Sequence, residues 1–153
     1  MRQLILLLSL ATTLSGCVAL PGHLYPITGP LSGQNPPAIY PVRLSVSVRL
    51  SVVLNSGAIS ATLKDGEDCR GHWAAVPQDD PSAAAMSAVW DSVYGQGFFQ
   101  ANVLGNMAFA RATLTGTRGT TLNIQYYLRN PAAMTTAVGV AADNHGDIFK
   151  LTF

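Results

Sequence analysis

Val42-Arg43-Leu44-Ser45-Val46-Ser47-Val48-Arg49-Leu50-Ser51-Val52 decides how this chain folds. Val or Leu stands at every even position and Arg or Ser at every odd one. This is the period of two that gives a strand one buried and one solvated face. Toward the C-terminus, Asn55-Ser56-Gly57 reads as a turn, and Ile59, Ala61 and Leu63 resume the alternation, so the two runs predict a hairpin. Lys64-Asp65-Gly66 is a second turn. Glu67 to Val76 is expected as the next strand, with Cys69, Gly71 and Trp73 on one face.

One helix interrupts the strands. Asp80 is suited to cap it and Pro81 to occupy its first turn. Met86, Val89, Trp90 and Val93 fall on one apolar face, and Gly95 stops the helix. That face has to cover something, and the mouth or open side of the sheet is the expected place. Strands return at Val103 to Thr115, with Gly105 as a bulge, and at Thr120 to Leu128. A last hairpin, Thr135 to Ala142 with Asp147 to Phe153, turns through Asp143-Asn144-His145-Gly146. The fold class predicted is therefore mainly β: an antiparallel meander forming a small barrel or sandwich of about seven strands with one capping helix.

The N-terminus reads differently. Met1-Arg2-Gln3 precedes an apolar run through Ala11, and Leu14-Ser15-Gly16 leads into Cys17. The run is far shorter than the roughly 20 residues that span a bilayer, which is the layout of a secretion signal. Leu-Ser-Gly directly before Cys resembles the bacterial lipobox, and that resemblance implies a diacylglyceryl group on the Cys17 thiol and cleavage before it. Two or three acyl chains suffice for stable anchoring. Val18 in place of Asp implies, by the same resemblance, the outer membrane. Six prolines (Pro21, Pro26, Pro30, Pro36, Pro37 and Pro41) follow, and they predict an extended tether. The expected organisation is thus a signal at 1–16, a lipidated Cys and tether at 17–41, and a β-rich domain at 42–153.

Charge narrows the function classes. Charged residues are 11% of the chain, against a typical quarter. Arg2 is the only charge in the signal, so eight Lys and Arg balance eight Asp and Glu in the remainder. No basic patch recommends nucleic acid as a partner. With Cys17 in a thioether, Cys69 has no partner in the chain and is expected to be buried.

Three stretches carry residue types suited to chemistry. Cys69 and His72 are candidate metal ligands, but residues three apart on a strand point to opposite faces, so no metal and no cofactor is expected. Asp143-Asn144-His145-Gly146-Asp147 lacks the spacing and distant Glu of a calcium loop and reads as a turn. Serines are plentiful, yet no Gly-x-Ser-x-Gly elbow accompanies His23, His72 and His145, so no catalytic residue is assigned. Trp90, Tyr94, Phe98 and Phe99 surround Gly95 and Gly97 and form the candidate ligand pocket, read as an aromatic-lined barrel mouth.

Leu24-Tyr25-Pro26 with Gly29-Pro30-Leu31, Asp65-Gly66-Glu67 with Cys69 and Gly71-x-Trp73, Val89-Trp90-Asp91-x-Val93-Tyr94-Gly95, and Asp143-Asn144-x-Gly146 together resemble a set of small, uncharacterised lipoproteins of Gram-negative bacteria. The resemblance implies the class and no catalytic residue. The expectation is a non-enzymatic envelope module, lipid-anchored on the periplasmic face of the outer membrane and partnered by the membrane and by another envelope protein. A small-ligand or metal carrier is the alternative, and an envelope hydrolase the third reading.

Overall fold

The computed structural model describes residues 15–49, 52–53, 55–77, 79–106, 108–129 and 136–153. Most of the expected signal segment, and the Asn130-Pro131 break, lie outside them.

Nine strands appear among the described residues: β1 (Ser15–Thr28), β2 (Tyr40–Arg49), β3 (Val52–Val53), β4 (Ser56–Thr62), β5 (Asp68–Ala75), β6 (Phe109–Gly116), β7 (Thr121–Leu128), β8 (Ala137–Asp143) and β9 (Ile148–Thr152). All pairings are antiparallel, in the order β1-β9-β8-β7-β6-β5-β4-β2, and β1 pairs again with β2. The sheet therefore closes into an eight-stranded barrel, with the two-residue β3 attached beside β2. Barrel, rather than sandwich, is the outcome of the meander.

Pleat alternation sets inside from outside. Val42, Leu44, Ile59, Ala61, Cys69, Trp73, Ala112, Leu114, Leu122, Ile124, Tyr126, Phe149 and Leu151 form one buried cluster drawn from strands all round the wall. The intervening positions, such as Arg43, Ser60, Arg70, Thr113 and Asn123, face outward. Eight strands enclose a space that side chains just fill. Trp73 packs edge-on to Tyr126, and Tyr126 edge-on to Phe153, with ring centroids 6.3 and 5.7 Å apart. Gly57 stands opposite Trp73 in register, where a Cβ would fall 2.6 Å from the indole nitrogen, so this position has to be glycine for the ring to fit. An apolar inside and a polar outside are the inverse of a membrane-spanning barrel, whose lipid-facing band is apolar. No helix among the described residues is long and apolar enough to cross a membrane.

Two expectations need correction. The first is the tether. Residues 17–28 of the expected tether lie in strand β1, which pairs with β2 on one side and β9 on the other and closes the barrel, and the tether's last two residues, Tyr40 and Pro41, already belong to β2. The prolines fit because of where they fall. Pro21 lies where β1 pairs with β2 but not with β9, and Pro26 stands at a register shift against β9. Edges and bulges are the places where a missing backbone donor is tolerated in a sheet. Only the loop between Thr28 and Tyr40 keeps the expected irregular character.

The second is the helix. Asp80 caps a 3-10 turn, Pro81–Met86, through a 2.8 Å hydrogen bond accepted from the Ser82 amide, and the α-helix α1 follows at Ser87–Tyr94. It lies on the outer wall and not over the mouth. Trp90, Met86, Phe99 and Val103 pack with Phe109, Tyr127 and Val140. Tyr127 and Val140 have the opposite parity from the inward Tyr126 and Ala141. A smaller difference follows from the same segment: residues 99–103 form a π-helical turn, so the strand expected from Val103 starts only at Phe109.

Candidate functional site

The aromatic cluster assembles as expected, but on the outside. Trp90 stacks against Tyr94 and Phe98 at centroid distances of 5.6 and 6.0 Å, and Tyr94 against Phe98 at 4.6 Å. Tyr127 from the barrel wall completes the group at 5.8 Å from Trp90. Phe99 is buried in the same cluster. The indole N–H of Trp90 donates to Gln125 Oε1 at 3.0 Å, and Gln125 Nε2 donates to the Ala83 carbonyl at 3.1 Å. The Tyr94 hydroxyl donates to the Gly139 carbonyl at 3.1 Å, and burial, reinforced by Tyr127, pushes the phenol up to about 12. Asp91 accepts from the amides of Gly97 and Phe99 and ties the following turn to the helix. Every polar group here serves the packing of an outer layer. These four aromatics therefore do not line a barrel mouth, because α1 sits against the wall of β7 and β8.

Cys69 and His72 separate as their spacing requires. Cys69 is fully buried in the barrel, while His72 is exposed on the outer wall. Burial, with the charges of Glu67, Asp68 and Asp143 adding to it, pushes the Cys69 thiol up to about 11, which disfavours the thiolate that a metal would need. Among the described residues no group of three His, Cys, Asp or Glu side chains could hold a metal ion.

One end of the barrel, formed by the 64–66, 117–120 and 144–147 turns and the loop after β1, holds a cavity of about 560 Å³. Three of its four carboxylates, Glu67, Asp143 and Asp147, are engaged by the chain itself. Glu67 accepts from Arg118 N at 2.8 Å, from Thr120 Oγ1 at 2.7 Å and from Thr120 N at 3.3 Å. Burial works against the Glu67 charge, but these hydrogen bonds outweigh it and hold the carboxyl below its ordinary value. Asp143 accepts from the amides of His145 and Asp147, and Asp147 from that of Leu31 at 2.6 Å. The 143–147 stretch is the turn its residues predict. Glu67, the staple between β5 and the β6–β7 turn, carries no signal in the sequence, because its partners lie about fifty residues away.

A second concave region lies on the outer wall of β2, β4 and β5, a groove of about 490 Å³. Arg43, Ser60 and Arg70 cross it in one register row, with Ser45, Ala58 and His72 close by. The groove also contains Asp68, whose oxygens accept from Thr62 and Arg70. The His72 ring has no hydrogen-bonding partner among the described residues, and the His145 ring faces Asp143 at 3.7 Å. Neither histidine forms a Ser–His–carboxylate arrangement there.

Cys17 sits in β1, opposite Ser47 of β2. Residues 15–22 of β1 pair with β2 only, whereas pairing with β9 starts at His23. At about 3.3 Å per residue, this two-stranded ribbon carries Cys17 roughly 20 Å beyond the β9 pairing, at the end of the barrel away from the carboxylate-lined cavity.

No family model, no curated protein and no solved structure matches this chain. What can be stated of its class comes from the fold: a small, closed, side-chain-filled antiparallel β-barrel carrying one helix on its outer wall.

Proposed function

We propose that this protein is an envelope lipoprotein, anchored by a lipid on Cys17 to the periplasmic face of the outer membrane, and that its barrel is a non-enzymatic structural or binding module. The observation that carries the reading is the place of Cys17. Cleavage before it removes Ser15 and Gly16 from the end of β1 and leaves every β1 pair from Cys17–Ser47 onward. The sequence preceding Cys17 supplies the signal and the lipobox resemblance. The barrel itself has a polar outer wall, so a covalent anchor is the means of membrane attachment that suits it.

With the tether replaced by a paired strand, the lipid holds the barrel close to the bilayer instead of on a flexible leash. Cys17→Ala tests the reading: the protein should shift from the membrane fraction to the soluble one and lose incorporation of labelled palmitate. Palmitate retained by that variant would overturn it.

A further inference from the structure

We infer that the outer wall of β2, β4 and β5 is the side of the barrel that lies on the bilayer, with Arg43 and Arg70 bracketing the phosphate of an anionic phospholipid headgroup above Ser60. The inference rests on the anchored reading above and adds an orientation and a ligand chemistry to it.

Arg43 pairs with Ser60, and Ser60 with Arg70, so the two arginines flank one serine hydroxyl on a common face. Adjacent strands are about 4.8 Å apart, which puts the two Cα atoms roughly 10 Å from each other. Guanidinium arms of that separation can close on one phosphate from both sides, and planar guanidinium groups suit phosphate oxygens. The surrounding residues, Ser45, Ala58 and Gly71, are small, which makes the groove. Arg43 has no carboxylate partner among the described residues, and His72 stands beside the same groove. Arg70 meets Asp68 at 3.1 Å, but both are well exposed, and such pairs exchange readily for another anion.

Position makes the membrane the source of that phosphate. Pro21 pairs with Arg43, and Cys17 lies four residues further along β1, about 13 Å away. A lipid on Cys17 would therefore enter the bilayer beside the groove. Helix α1 covers β7 and β8, across the barrel from β4, so it leaves this wall open. Asp65, Glu67, Asp143 and Asp147 gather at the end away from Cys17, where they avoid an anionic surface.

The test uses the full protein purified from the membrane fraction and reconstituted into vesicles of phosphatidylcholine, alone or mixed with phosphatidylglycerol. A fluorophore is placed at Ala74→Cys, beside the groove, or at Ala88→Cys, on α1; buried Cys69 does not react. Quenching by nitroxide-headgroup lipid should be strong at position 74 and weak at 88 in the mixed vesicles. R43S/R70S should reduce that contrast by at least about fivefold, as expected for loss of basic groups near an anionic surface. Equal quenching at both positions overturns the orientation. A contrast abolished by inorganic phosphate at constant ionic strength assigns the groove to a soluble phosphate and overturns the membrane source. Failure of the anchored reading shows separately, as protein that does not stay with phosphatidylcholine vesicles.

Discussion

The two tryptophans occupy the two sides of the barrel wall. Trp73 points inward from β5 and donates its indole N–H to the Ser45 carbonyl of β2 at 2.9 Å. Trp90 reaches the outer wall from α1 and donates to Gln125 of β7. Both are buried, so area alone does not distinguish them. Their surroundings do. Trp73 is packed inside the barrel against Tyr126 and within the buried cluster, so little can collapse into the space it would vacate. It also spans a seam, because β2 and β4 pair only over Val42–Leu44 and Ile59–Ala61. Trp90 instead pins an added layer that is held by an aromatic stack, the Gln125 amide, the Tyr94 hydroxyl on Gly139 and the contacts of Arg111 with Ser82 and Asp80. The interior is thus built into the closure of the sheet, while the outer patch depends on a second element arriving.

That contrast can be broken or sharpened by mutation. Trp73→Ala should cost most, about 3–5 kcal/mol, as a lower melting temperature of the whole barrel. Trp90→Ala should fall at the lower end of the same range and act locally: hydrogen exchange should quicken over 81–103 before it does in the strands. Equal quickening in both regions would abolish the distinction between core and layer. Gln125→Ala tests the polar link, since it strands the Trp90 indole N–H and the Ala83 carbonyl; about 2 kcal/mol by denaturant titration is expected.

Glu67→Gln tests the staple at the far end and should cost about 1–2 kcal/mol at neutral pH. The folded pKa of Glu67 is lowered, so its charge stabilises the fold above the unfolded carboxylate range and ceases to do so as pH falls through the folded value. The gap between wild type and variant should therefore close below about pH 4. A gap that persists in acid would mean the carboxylate charge is not the source. Smallest is Tyr126→Phe. The Tyr126 hydroxyl is buried in the barrel without a hydrogen-bond partner among the described residues, so its removal should leave stability unchanged or raise it by up to about 1 kcal/mol.

Much of the fold was legible because it is local. Alternation over Val42–Arg49, the 143–147 turn and the Asp80-Pro81 start each depend on neighbours within a few residues, whereas Ser56 and Gly57, expected in a turn, lie in β4 opposite β5, and Val52 turns back to pair with β2. The reading failed where a distant strand changes what a residue means. Pro21 and Pro26 speak against a strand until β2 and β9 supply an edge and a bulge for them. Trp90, Tyr94, Phe98 and Phe99 were found as a cluster, but their side of the wall follows from the parity of Tyr127 and Val140. The row Arg43–Ser60–Arg70 was invisible, because its members come from three strands.

The sequence by itself determined which faces are apolar, that the chain turns at 64–66, 116–119 and 143–147, that Cys69 and His72 diverge, and that Cys17 stands at the end of a signal-like run. These follow from periodicity and local backbone chemistry. Only the tertiary structure decided that the meander closes through β1, that α1 lies on the wall and not over the mouth, and that Glu67 and Gln125 are structural staples. Closure, register and the pairing of buried polar groups depend on partners many residues away, and no local pattern carries that information.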